Sequence, residues 1–287
     1  MASNSELPTD TPGIYDVKDF ALSGMHTIWI YPQKQCFAVY KDAFMACSPF
    51  FRDQMVEDPS KGRHRHTSLD LTDVDAYTFT GLVQFVYSGS YTVPTIDKVM
   101  PPLAFGYRSL NVMEAFFRDP RPSLADNRGV VPGKELFAFA FMDRYTDSER
   151  KTAYKRPAMQ NPDMTDTFFR HADMYLYGVR FDIAKLRKHA MYQLADGLAH
   201  FLDTWDGMVC VASVICHLYE KTKAGDPIRQ MLSMYTACRY SIHRWHPHIV
   251  KAFRRFPDFP DDTMKQVQAL RDYKRDVPSA AEPGVKK

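Results

Sequence analysis

The motifs that most often announce chemistry are missing from this chain. No G-x-x-x-x-G-K-S/T, G-x-G-x-x-G, G-x-S-x-G or H-E-x-x-H occurs, which leaves no phosphate cradle, nucleophile elbow or zinc-protease pair to build on. Cysteine is sparse: five residues, at 36, 47, 210, 216 and 238, with no C-x-x-C among them. The common zinc frameworks are therefore absent. The odd count and wide spacing point to reduced thiols in a cytoplasmic or nuclear setting. Charge of one sign is also lacking, since 37 basic and 34 acidic residues leave +3. Such a balance argues against nucleic acid or an anionic membrane as partner. No apolar run approaches the roughly 20 residues a membrane span needs. The opening MASNSELPTDTPG lacks the charged-then-apolar layout of a signal peptide, so none is expected. The chain is read as non-catalytic and without a cofactor.

What is present is an ordinary globular composition, 45% apolar and 25% charged over 287 residues. That length holds one or two domains with a real core. Residues 1–19 are polar and read as a flexible tail. HTIWIY (26–31) is β-branched and aromatic and reads as a strand ended by Pro32. CFAV (36–39) reads as its hairpin partner. Asp42 is placed to cap a short helix through Phe44, and Ser48 must end it because it precedes proline. Pro49 then opens a second helix with Ser48 as cap. Phe44, Phe50 and Phe51 thereby face one core from two directions.

HTSLDL (66–71) reads as a short strand. Phe79, Leu82, Val83 and Val86 form one helical stripe, with Asp75 as N-cap and Gly89 as left-handed C-cap. Residues 94–165 hold 8 of the 19 prolines and read as a long, largely irregular insertion. Within it, 103–117 fits a helix. LFAFAFM (136–142) fits a strand by its period of two, or a helix. From 166 the pattern is helical, with two helices split at Gly178. Ile183, Leu186, Ala190 and Leu194 line the second, with Asp182 as cap. Met208, Val211, Ala212, Ile215 and Tyr219 form a further stripe. Asp226-Pro227 opens a helix carrying Ile228, Met231, Leu232 and Tyr235. One or two shorter helices are expected between 246 and 273, and the last residues read as a flexible tail.

Three segments, FAVYKDAFMACSPFFRDQM (37–55), SLDLTDVDAYTFTGLVQFVYSGSY (68–91) and HADMYLYGVRFDIAKLRKHAM (171–191), resemble a BTB/POZ domain. The signature lies in Ser48-Pro49-Phe50-Phe51, in the Tyr-x-Gly-x-Tyr of Tyr87, Gly89 and Tyr91, and in Tyr177 with Phe181, Asp182 and Ile183. Phe44 and Leu82 stand at core positions of the same pattern. The remainder more faintly resembles the helical tail of single-BTB proteins common in filamentous fungi.

The resemblance implies an α+β fold: a small sheet of short strands flanked by helices, then an α-helical C-terminal extension. It places a first BTB part at 20–95, the Pro-rich insertion at 96–165 and the closing helices at 166–200. The extension then covers 201–274, with a tail at 275–287. The implied function is protein–protein interaction, either as an adaptor joining a cullin scaffold of ubiquitin ligases to an unknown client, or as an oligomeriser or transcription-associated scaffold.

His26, Thr27 and Tyr40 stand where relatives carry an acid and a histidine. This argues against the groove by which some of those relatives bind corepressors. The stretch 14–25 is short for a strand-swapped dimer, so a monomer or weak homodimer is expected. Met55, Val56 and Glu57 have the apolar-x-acid form with which cullin-binding relatives fill a scaffold pocket. Met55 is either that anchor or a core residue.

Three further clusters have a chemical and a plain reading. GRHRH (62–66) is a pH-responsive or metal contact, or a solvated loop. CRYSIHRWHPH (238–248) is a zinc site, or an exposed corner between helices. KAFRRF (251–256) stacks on nucleic acid, or is an amphipathic helix with aromatics inward.

Overall fold

The computed structural model describes residues 24–56, 68–93, 164–201 and 205–276. The segments 103–117, 136–142 and 62–66 lie outside them. The chain divides into two compact units. One comprises Met1–Val93 with Asp173–Ala190, the other Pro94–Ala172 with Met191–Lys287.

In the first unit, β1 (Met25–Ile30) pairs antiparallel with β2 (Gln35–Tyr40) and parallel with β3 (Ser68–Leu71), in the order β2-β1-β3. β1 alternates, burying His26, Ile28 and Ile30, as a strand with one face on the core must. The hairpin α1 (Lys41–Cys47) and α2 (Pro49–Met55) follows, then α3 (Ala76–Ser88). α1 packs against both α2 and α3. Asp75 accepts the Thr78 amide at 2.7 Å, and Gly89 closes α3 at φ 71°. Phe79, Leu82, Phe85 and Val86 are the buried large apolar residues of α3. Val83, expected in the stripe, is only half-buried, and Phe85 takes its place.

Two local expectations, the Asp42 cap and the split at Gly178, are corrected. α1 begins directly after Tyr40 with no side-chain cap, and Asp42 lies inside its first turn. There the carboxylate still faces the positive end of the helix dipole. α4 (Thr165–Arg180) does not break at Gly178. A Cβ there would lie 2.7 Å from Arg187 Cγ and 2.9 Å from Arg187 N. The glycine thus serves close approach of the next helix rather than a break. The turn comes at Phe181–Ile183, where Asp182 adopts φ 50° and its carboxylate meets Arg187 at 3.5 Å. α5 (Ala184–His200) then buries Leu186, Ala190 and Leu194.

The second unit is helical. α6 (Trp205–Lys221) buries Met208, Val211, Ala212, Ile215 and Tyr219, the stripe read from the sequence. α7 (Pro227–Cys238) starts on Asp226, whose carboxylate accepts the Ile228 amide at 3.0 Å. A single turn, α8 (Tyr240–His243), leads to α9 (Pro247–Arg255) and α10 (Asp258–Asp276). α10 is longer than expected, and its inward Phe259, Thr263, Val267 and Leu270 recur at helical spacing. α7 packs on α10, and α6 on α9. Among the described residues no helix is long and apolar enough to cross a membrane.

Candidate partner-binding surface

The α1–α2 hairpin is the most closely specified element of the first unit. Ser48 is fully buried, and its hydroxyl accepts the Phe51 amide at 3.2 Å while donating to the Phe181 carbonyl. A buried hydroxyl needs such partners, since leaving it bare costs about 1–3 kcal/mol. Pro49 occupies the first helical turn, where its missing N–H is no loss. Phe44 and Phe51 are fully buried, and their rings meet edge-on at 5.0 Å. Phe51 stacks on Phe181 at 5.0 Å, with Phe50 5.2 Å from the same ring. Phe79 closes the cluster 6.4 Å from Phe44.

The Tyr-x-Gly-x-Tyr residues are structural too. The Tyr87 hydroxyl accepts the Tyr40 amide at 2.9 Å, which satisfies the last residue of β2. Partial burial raises the Tyr87 phenol above its ordinary pKa. Tyr91 is buried 5.4 Å from the His189 ring. Tyr177 adds a contact the sequence did not disclose. Its hydroxyl accepts the Asp75 amide at 2.9 Å and donates to the Asp75 carboxylate at 3.1 Å. Burial, then the neighbouring Asp75 charge, pushes its pKa upward. No local pattern could have found this pairing, because the partners lie 102 residues apart. Cys47 is half-buried, and that burial pushes its thiol up to about 12, which makes it a poor nucleophile.

These residues leave the outer side of α2 uncovered: Arg52, Asp53 and Gln54 are exposed. Met55 is 3% exposed and Val56 is 46% exposed. Of the two readings of Met55, the structure places it in the core, because the fourth residue after Phe51 falls on the same helical face. The exposed apolar side chain of the step is Val56. Glu57 lies outside the described residues.

The 238–248 cluster differs from the expected exposed corner. His243 is fully buried, and His246 and Arg239 are 3% exposed. The turn connecting α7 to α9 folds these side chains inward, and Tyr235 lies 5.3 Å from the His243 ring. Burial, then Arg239 and His246, holds the His243 imidazole well below its usual pKa. Among the described residues no three His, Cys, Asp or Glu side chains converge as a metal site. In 251–256, Phe253 lies 4.7 Å from Phe259 and Phe256 lies 5.9 Å from Tyr219, while Arg254 and Arg255 are exposed. The amphipathic reading describes that helix.

A small three-stranded sheet, a Ser-Pro-linked helical hairpin and a capped helix ending in Tyr-x-Gly-x-Tyr define the α+β fold of the first unit. Residues 21–115 match the family model of the BTB/POZ domain, and the chain carries that domain followed by a helical extension. No curated protein matches the chain.

Proposed function

We propose that the chain is a substrate adaptor of a cullin-RING ubiquitin ligase, acting in the cytoplasm or nucleus. The observation that carries this reading is the BTB/POZ match, since that domain is a protein–protein interaction module. The exposed end of α2 supplies its contact face. Val56 is the apolar side chain presented there, and Met55 beneath it holds the helix on the core. An apolar anchor rimmed by polar side chains such as Arg52, Asp53 and Gln54 suits a protein pocket.

Titration calorimetry with a purified cullin N-terminal domain tests the adaptor role. Val56→Asp is expected to weaken binding by about 1–2 kcal/mol with no change in melting temperature. Met55→Ala is expected to lower the melting temperature and to affect binding only through unfolding. A well-folded wild type with no detectable cullin binding would sink the adaptor role.

A second reading, self-association through the BTB unit, is favoured by exposed Met25, Tyr40 and Tyr87. Met25 and Tyr40 are register partners across the β1–β2 pair, and the Tyr40 and Tyr87 rings meet at 6.3 Å. Light scattering at micromolar concentration separates a stable dimer from the expected monomer or weak homodimer.

A further inference from the structure

Three basic side chains of the helical unit are buried at one corner. Arg239 closes α7, His243 lies in the single turn α8, and His246 precedes α9; all three are buried. Backbone bonds place them on one side of that corner. The His243 amide donates to the Arg239 carbonyl at 2.9 Å, and the His246 amide to the His243 carbonyl at 3.1 Å. Spacings of four and three residues in such a turn bring side chains to a shared face. The Tyr235 ring packs on the same side, 4.8 Å from the Arg239 guanidinium carbon and 5.3 Å from the His243 ring.

Neither nitrogen of the fully buried His243 ring has a hydrogen-bond partner among the described residues. The charged groups that act on it are Arg239 and His246. Tyr235 faces it from α7, and Cys210 of α6 and Cys238 act in turn on that phenol. The exposed His248 ring lies 5.7 Å from that of His246. The carboxylates of the helical unit that make described contacts make them elsewhere. Asp226 caps α7, Asp258 meets Arg229 at 3.4 Å, Glu220 meets Arg255 at 3.0 Å, and Asp262 lies 3.6 Å from Lys265. Arg229 stands ten residues before Arg239, about 15 Å away along a helix. A proton on His243 therefore sets a second positive charge beside the Arg239 guanidinium, in a buried place where charge is costly.

We infer that the corner joining α7, α8 and α9 is an acid-triggered hinge: proton uptake by His243 opens the turn 239–246 and frees the start of α9 while the rest of the chain stays folded. A single turn suits such a device, since α8 spans only four residues and few backbone bonds must break. Opening brings the imidazole to water and separates it from Arg239. It also uncovers Ile249, the first buried residue of α9. Burial holds the closed imidazole well below its usual 6.5, so the open form binds the proton first. Opening is then favoured as pH falls below about 6.5 and is unaffected well above it. The hinge lies within the helical unit and does not depend on the adaptor role.

The test is hydrogen exchange on the full chain at pH 7.5 and 5.5, with each rate referred to the intrinsic exchange rate at that pH. Protection of the amides over 243–250 is expected to fall about tenfold between the two. That is the ratio for one proton bound near pH 6.5 in the open form and far lower in the closed one. β1–β3 and α3 should keep their protection. His243→Gln and His243→Leu, each confirmed folded at pH 7.5 by circular dichroism, should show no such fall.

Unchanged protection of 243–250 in the wild type at pH 5.5 would overturn the inference. So would an equal fall over β1–β3, which makes the event global unfolding rather than a hinge. The same tenfold fall in a folded His243 variant would place the proton on another group and overturn it as well.

Discussion

In the BTB unit the polar contacts around the core join segments far apart in sequence. The Ser48 hydroxyl reaches the Phe181 carbonyl across 133 residues, Tyr177 holds Asp75 across 102, and the Arg180 guanidinium donates to the Asp73 carbonyl across 107. In the helical unit the comparable contacts are mostly nearer along the chain. Buried Arg229 donates to the carbonyls of Tyr219 and Thr222, which closes the end of α6, and lies 4.6 Å from the Tyr219 ring. Those partners are ten and seven residues away. The reach to Asp258, 3.4 Å from the guanidinium, spans 29 residues. The first unit needs its distant closing turn to satisfy its own hairpin. The second satisfies the end of one helix from the start of the next.

The largest expected effect strikes the BTB core. Leu82 is fully buried in α3, so Leu82→Asp should abolish folding through an unpaired buried carboxylate. Leu82→Ala should cost about 2–5 kcal/mol by lost burial and a cavity. Denaturant unfolding measures both, and a Leu82→Asp chain that melts like wild type would refute this helix face.

Arg229→Met tests the sequence-local closure of the helical unit. It leaves the Tyr219 and Thr222 carbonyls without their charged donor and should cost roughly 2–4 kcal/mol. Hydrogen exchange should quicken over α6 and α7 while β1–β3 keep their protection. Equal loosening of the sheet would erase the contrast between the units.

His243 gives the comparison a pH dependence. Burial holds its folded pKa well below the usual 6.5, so the unfolded chain takes up the proton first. Stability contributed by the neutral imidazole is therefore full above about pH 6.5 and falls as pH drops below it. The slope approaches about 1.4 kcal/mol per pH unit for one proton. Unfolding free energies from pH 7.5 to 5 should show that loss, and His243→Leu should flatten it. An unchanged slope in the variant would place the proton uptake elsewhere.

The smallest effect probes the long-range closure alone. Tyr177→Phe removes one hydroxyl from Asp75 and should cost about 1 kcal/mol. Chemical denaturation reads the loss, and no loss would mean that the strap adds nothing beyond ring packing.

Local signals carried most of what was legible in the sequence. Ser48, Asp75 and Asp226 each bond an amide within three residues, and Pro49, Gly89 and Pro227 occupy the ends that their backbone chemistry favours. Stripes at helical spacing correctly marked Leu82, Leu186, Ile215 and Leu232 as core. Gly178 was misleading because a helix-breaking residue and a close-approach residue look alike until the neighbouring Arg187 is in place. The 239–246 stretch was misleading because its polarity reads as solvent exposure, yet packing buries Arg239, His243 and His246. Met55 was undecided from spacing alone, and its burial shifts attention to Val56. The pairing of Tyr177 with Asp75 depends on tertiary placement, which no window of sequence contains.

The most direct measurement is hydrogen–deuterium exchange on the full chain with and without a purified cullin N-terminal domain. Interaction through the BTB unit predicts new protection over 50–56, around Val56, with none over 244–255. Protection confined to 244–255, or none anywhere in a folded chain at saturating cullin domain, would contradict it.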